Sequence, residues 1–196
     1  MKSIIIGLTG PIASGKNIVA KMFGRRGAVV IDADKIGHQV IAPQSKAWHE
    51  IIKTFGSKVL NRGGAVNRKK LARMVFSDPG ALKKINKITH HEMREIIRNK
   101  IREAKLLNKK YIIVNAAVLK EMKLLPFIDK VVVVLAGERT RLARLVKCGL
   151  SKQEAAARIK AQGKASRYRE TADLVIENNK TIEHFKEKVK RIISAL

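Results

Sequence analysis

The chain of 196 residues carries 42 Lys and Arg against 16 Asp and Glu, a formal net charge of +26, with 45% hydrophobic and only 4% aromatic residues. This is enough apolar material for one sizeable core, so a single domain with insertions is expected. The lone Cys148 excludes an internal disulfide, no apolar run reaches the eighteen residues of a membrane span, and the scarcity of aromatics argues against a stacking platform for single-stranded nucleic acid. A field this positive attracts polyanions, either nucleotides or nucleic acid, while many of the charges also suit solvated helix faces.

Met1-Lys2-Ser3 passes directly into an apolar run, Ile4 to Leu8, with no charged-then-apolar leader, so a cytoplasmic location is expected. Further strand-like runs follow at Val29 to Ile31, Tyr111 to Val114, Val131 to Leu135 and Leu174 to Ile176. Their β-branched continuity, with helical segments between them, is the pattern of a doubly wound α/β fold. Its five parallel strands are covered on both faces, and ligands bind beyond the strands' carboxyl ends. Between the second and third strands the reading places a helix at Trp48 to Phe55, a glycine turn at Arg62-Gly63-Gly64, a helix at Arg68 to Phe76, and a long helix opening at Asp78-Pro79, where Asp78 can cap. A basic helical segment runs from Arg141 to Tyr168, with Gly149 and Gly163 near its ends, and a last helix from Thr181 to Ala195 carries Ile182, Phe185, Val189, Ile192 and Ile193 on one face. The chain thus divides into a core (about 1–41, 108–140 and 169–196), a helical insertion (about 42–107) and a segment (about 141–168) placed to close over a nucleotide. Both inserted segments are also readable as packing helices only.

The first strand ends in Gly10-Pro11-Ile12-Ala13-Ser14-Gly15-Lys16-Asn17, and Ile18 continues into a helical pattern. In a strand, loop, helix context G-x-x-x-x-G-K-[ST] is a phosphate-binding loop. The amides around Gly10, Ala13, Ser14, Gly15, Lys16, Asn17 and Ile18, with the positive helix end, cradle a polyphosphate, and Lys16 reaches its β- and γ-phosphates. Asn17 stands where a hydroxyl would meet Mg²⁺. Its amide oxygen can ligate a hard cation, but its side chain is longer than serine's and Mg²⁺ demands near-octahedral contacts at roughly 2.1 Å, so a weak or water-mediated contact is expected. After the second strand, Asp32-Ala33-Asp34 brings carboxylates to the same edge, where one can orient or deprotonate an acceptor hydroxyl or hold metal through water; each can equally cap the following helix.

With Gly7-Leu8-Thr9 before the loop and Gly27 to Asp34 after it, the chain resembles dephospho-coenzyme A kinase, the P-loop kinase that phosphorylates the ribose 3′-hydroxyl of dephospho-CoA. The likeness continues through Phe55-Gly56, Asn67 to Leu71, Val75-Phe76, His90 with Arg94, Ala116 to Leu119, Arg144, Ala157 to Ile159 with Gln162, and Ala172 to Asn179. The resemblance implies ATP and dephospho-CoA as substrates, Mg²⁺ as cofactor, a nucleoside-monophosphate-kinase-like core, a helical CoA-binding insertion and a lid. It makes Asp34 the base or acceptor-orienting carboxylate, Arg68 a substrate-side cation, His90 and Arg94 part of the CoA side, and Arg144 a lid residue near the phosphates. His90 and Arg94 also read as a solvated helix face.

Relatives of this kind usually carry Ser or Thr at position 17, Pro at 91 and an acid at 115, where this chain has Asn17, His91 and Asn115. The usual lid pattern of Arg then Asp is shortened to Lys147-Cys148-Gly149, and Lys147 is the replacement cation, though as a point charge without a bidentate fork. These departures fall on the metal and phosphate side. They keep a second class open, a degenerate P-loop protein that binds nucleotide or CoA, or nucleic acid through its basic surface, without turnover. Lys16, Asp34, Arg68 and Arg144 together favour the kinase, and nucleic acid is not the favoured partner.

Overall fold

Six consecutive residues rich in β-branched and aliphatic side chains, Ile4–Thr9, form strand β1, and the chain leaves it directly into the glycine-rich loop. A computed structural model describes residues 3–162 and 165–195. Met1-Lys2 and Gly163, named above at a segment start and end, lie outside the described residues. From the loop the chain runs through helix α1 (Lys16–Gly24), strand β2 (Val29–Asp32), helices α2 (Ala33–Val40), α3 (Lys46–Phe55), α4 (Arg68–Ser77) and α5 (Pro79–Leu106), and strands β3 (Tyr111–Asn115) and β4 (Lys130–Leu135). Helices α6 (Glu138–Lys147), α7 (Lys152–Ala161) and α8 (Ser166–Arg169), strand β5 (Leu174–Glu177) and helix α9 (Ile182–Ala195) follow.

The five strands form one parallel sheet in the order β2-β3-β1-β4-β5. The central strands β1, β3 and β4 are almost wholly buried and apolar, whereas the edge strands β2 and β5 are only partly covered. That gradient follows from geometry, since a strand with neighbours on both sides and helices on both faces has no exit to water. On one face Ile6, Leu8, Ile113, Val132 and Val134 pack with Val19 and Phe23 of α1 and with Phe185, Val189 and Ile193 of α9. Alternate residues, such as Ile5, Ile112, Val131 and Val133, are buried on the opposite face. The expected face of α9 is correct except for Ile182, which is 39% exposed. As the first helical residue its side chain points back past the start of the packed stretch.

The described chain divides into two compact units, one holding the residues up to Asp32 and those from Arg98 onward, the other Ala33–Ile97. The second unit has its own core, in which Ile51, Phe55, Val59, Leu71, Val75 and Ile85 cluster. Its helices start where side chains satisfy their first amides: Ser45 accepts from the Trp48 amide, Asn67 from that of Lys70, and Asp78 from that of Gly80 just ahead of α5. Among the described residues no helix is long and apolar enough to cross a membrane.

Phe23, 1% exposed, meets Tyr111 edge to face with ring centroids 5.8 Å apart beneath the loop-bearing helix. Phe23→Ala removes a large fully buried side chain and is expected to lower unfolding free energy by about 3–5 kcal/mol in a denaturant titration; a loss below about 1 kcal/mol would show that the site collapses or is not core.

Candidate active site

At the carboxyl end of β1 the chain must turn sharply enough to aim its amides into one hollow, and two glycines make that turn. Gly10 has φ +137°, and a Cβ there would lie 2.1 Å from the carbonyl oxygen of Val134 on the neighbouring strand. Gly15 has φ +110°, and its Cβ would lie 2.5 Å from Asn178 Nδ2. Both need the left-handed region and room for backbone, which only glycine provides. Between them Ala13 is itself left-handed at φ 60°, the kind of local strain that surrounding structure must hold. The Ser14 amide donates to Pro11 O at 3.2 Å, and Lys16 Nζ folds back onto Gly10 O and Pro11 O at 2.7 and 3.1 Å.

Helix α1 begins at Gly15 with no side-chain cap and no acidic residue in its first turn. Its positive end is therefore left for an anion, the arrangement that binds phosphate.

Three residues far along the chain brace the loop from outside. Arg144 of α6 donates through Nη1 to Ala13 O at 3.0 Å and Ser14 O at 3.4 Å, and through Nη2 to Asn178 O and Oδ1 at 3.2 and 3.1 Å. Burial pulls the Arg144 guanidinium below its usual value, though it remains a cation. Asn178, 1% exposed just after β5, donates through Nδ2 to Ser14 O at 2.8 Å, and Gln162 accepts from the Ile12 amide at 2.6 Å. In the sequence Gln162 and Asn178 stand out only as parts of longer stretches of family likeness. The one signal for Asn178 as a brace was an asparagine pair directly beyond a strand's carboxyl end.

The two asparagines noted as separate departures meet. Asn115 Nδ2 donates to Asn17 Oδ1 at 2.8 Å, and Asn115 Oδ1, in a residue 4% exposed, has no partner among the described residues. Asp32 is in register with Asn115 on the adjacent strand. The candidate ligands of this set are hard oxygens, the Asn17 and Asn115 amide oxygens and the Asp32 carboxylate, and the unpaired Asn115 oxygen would accept from a metal-bound water, so the residues fit a Mg²⁺ held mainly through water and phosphate. No cluster of three His, Cys, Asp or Glu able to hold a metal exists among the described residues.

Gly10 through Ile18, Arg144, Asn115 and Asp32 thus belong to the first unit, and Asp34, Arg68, His90 and Arg94 to the second. Asp34 is exposed in the first turn of α2. Arg68 opens α4, with Nη1 2.8 Å from His38 Nδ1. His90 and Arg94 are half-buried and four residues apart on α5, hence on one helix face; Arg94 Nε lies 3.6 Å from a Glu95 carboxylate oxygen. Lys147 and Cys148 are exposed at the end of α6.

A parallel sheet whose central strand delivers a G-x-x-x-x-G-K loop to an uncapped helix start defines a nucleotide-binding protein of the P-loop class. A family model described as dephospho-CoA kinase matches residues 4–184. The dephospho-CoA kinase of Carboxydothermus hydrogenoformans is 37% identical over 190 residues, covering 96% of this chain and 92% of that protein. That of Syntrophotalea carbinolica is 36% identical over 194 residues, covering 98% and 92%. Among solved structures, a Thermus thermophilus protein matches with TM-score 0.77 at 29% identity, covering 100% of this chain and 99% of that one. The dephospho-CoA kinase of Campylobacter jejuni matches with TM-score 0.69 at 25% identity, covering 97% and 95%. Shikimate kinase from Bacteroides thetaiotaomicron, 16% identical with TM-score 0.51 and covering 98% and 97%, shares the fold alone. The chain belongs to the dephospho-CoA kinase family, which favours the kinase over binding without turnover.

Asn178→Ala removes bonds to both Ser14 and Arg144. It is expected to cost about 1–3 kcal/mol of stability and to weaken ATP binding several-fold, read by thermal melting and calorimetry. Unchanged ATP affinity would show that the loop holds its shape without this brace.

Proposed function

We propose that the protein transfers the γ-phosphoryl group of ATP to the ribose 3′-hydroxyl of dephospho-CoA, the last step of coenzyme A biosynthesis, with the roles of its side chains as follows. The observation that carries this reading is the loop itself: amides and an uncapped helix end arranged for a polyphosphate, in a chain of this family. Gly10, Ala13, Ser14, Gly15, Asn17 and Ile18 form the ATP cradle. Lys16 exchanges its contacts with Gly10 O and Pro11 O for β- and γ-phosphate oxygens, which costs little because both states are bonded. Arg144 keeps the loop in shape by occupying the carbonyls behind it.

Asp34, just ahead of the helical insertion, orients the acceptor hydroxyl and takes its proton, while Arg68, His90 and Arg94 of the insertion hold the pyrophosphate-bearing substrate by charge and hydrogen bonding. The hydroxyl oxygen forms a bond to Pγ as the bond from Pγ to the β,γ-bridging oxygen breaks, and that oxygen leaves with the electron pair as part of ADP. Little covalent work falls to the protein; position and electrostatics supply the rate. The segment of α6 to α8 is the lid. The Asn17 and Asn115 amide oxygens and Asp32 would hold Mg²⁺, directly or through water, and the ion would supply neutralisation of phosphate charge.

ADP formation from ATP and dephospho-CoA, with Mg²⁺ and then Mn²⁺, tests the activity. Asp34→Ala is expected to lower kcat by at least a hundredfold while ATP affinity stays within twofold. Absence of turnover by the unaltered protein with either metal, together with salt-sensitive nucleic-acid binding, would overturn the kinase reading.

The amide pair at the metal side makes a separate expectation. Asn17→Ser alone strands Asn115 and should destabilise the fold by about 1–3 kcal/mol. The double variant Asn17→Ser/Asn115→Asp should restore stability and bind Mg²⁺-ATP about tenfold more tightly than the natural protein, a non-additive result in calorimetry. Equal Mg²⁺-ATP affinities across the series would remove both asparagines from the metal side.

A further inference from the structure

Helix α6 carries a second arginine, one turn before Arg144, with no part in the roles above. Arg141 is 4% exposed, and among the described residues its Nε and Nη1 donors have no hydrogen-bond partner. A guanidinium does not shed its proton, and a buried charge without a counter-charge is strongly disfavoured. Arg139, two residues earlier on the same helix, is exposed and leaves its charge in water. Arg141 is therefore held in the interior for an anion that the free protein does not itself supply.

The surroundings say which anion. Leu145, one turn further along the same helix face, packs in a cluster that includes Ile12 and Ala13 of the phosphate loop. Arg144, three residues on, reaches Ala13 O and Ser14 O. On its other flank Arg141 acts electrostatically on the Tyr168 hydroxyl of α8. Tyr168 shares a cavity of about 30 Å³ with Thr9, the residue before the loop, and with Gln162, which holds the Ile12 amide. Glu121 acts on the same hydroxyl, but it is 42% exposed and its salt-bridge partner is Arg167, at 3.1 Å, rather than Arg141. A cation with two unpaired donors thus lies on the helix whose neighbouring residues Arg144 and Leu145 touch the loop shaped for polyphosphate.

We propose that Arg141 is a phosphate-contacting residue, which engages the polyphosphate of the nucleoside triphosphate when the lid segment settles on the occupied loop. This rests on the reading of the loop as the ATP site. It supplies, from inside α6, the planar cation that the shortened Lys147-Cys148-Gly149 turn lacks. In the free protein the same charge is a burden, which separates this role from a structural one.

The test compares Arg141→Gln and Arg141→Lys with Arg139→Gln as the exposed control, by thermal melting without ligand, calorimetry with ATP and with inorganic triphosphate, and steady-state kinetics. Arg141→Gln is expected to melt at or above the temperature of the natural protein, to bind ATP and triphosphate at least tenfold more weakly, and to keep its KM for dephospho-CoA. Arg141→Lys should recover part of the affinity, and Arg139→Gln should match the natural protein. A lower melting temperature with ATP affinity within twofold, or failure of both Arg141 variants to fold, would make Arg141 a structural residue and overturn the proposal. Failure of the unaltered protein to bind ATP would instead overturn the function proposed for the loop.

Discussion

A phosphate loop has to keep its amides pointing into an empty hollow, and a free chain would not stay that way. Here the constraint is met from outside: the loop's own carbonyls are taken by Arg144 and Asn178, and its Ile12 amide by Gln162, partners 130 to 164 residues away in sequence. Gly10 sits so close to Val134 O that, with β4 lying beside β1, the turn out of β1 has no room for a side chain there. The site is therefore a product of the completed sheet, and strain at Ala13 is offset by contacts from α6, from the end of α7 and from the end of β5.

The large positive charge divides into two populations with different physics. Most lysines and arginines lie on exposed helix faces, where water and salt screen them and each contributes little to stability. Arg144 and Arg141 lie on α6 under partial or nearly complete burial, where a charge is felt at several times its strength in water. One is satisfied by loop carbonyls and the other is not, so two arginines one turn apart do different work. The number +26 describes the first population and conceals the second.

At the metal edge the structure converts two apparent losses into one feature. Asn17 and Asn115 each looked like a missing ligand, but the hydrogen bond between them satisfies one amide with the other and leaves a single buried oxygen over. A hydroxyl beside a carboxylate would hold one shared proton and a net negative charge. Two amides hold neither, so the charge at this edge rests on Asp32, in register beside them.

Much of this was legible beforehand. All five strands were readable as buried apolar runs, because parallel strands covered on both faces need continuous β-branched sequence, and the loop was readable because its glycines, lysine and flanking strand and helix lie together in one short stretch of sequence. The helix start at Asp78 was readable from local capping. The strand order, the meeting of Asn17 with Asn115, the seat of Arg144 behind the loop and the burial of Arg141 were not, since each depends on residues brought together from opposite ends of the chain. Local sequence determines what a segment can become and which chemistry it can carry; pairing between distant segments decides which polar atoms find partners, and so which of many identical arginines and asparagines matter.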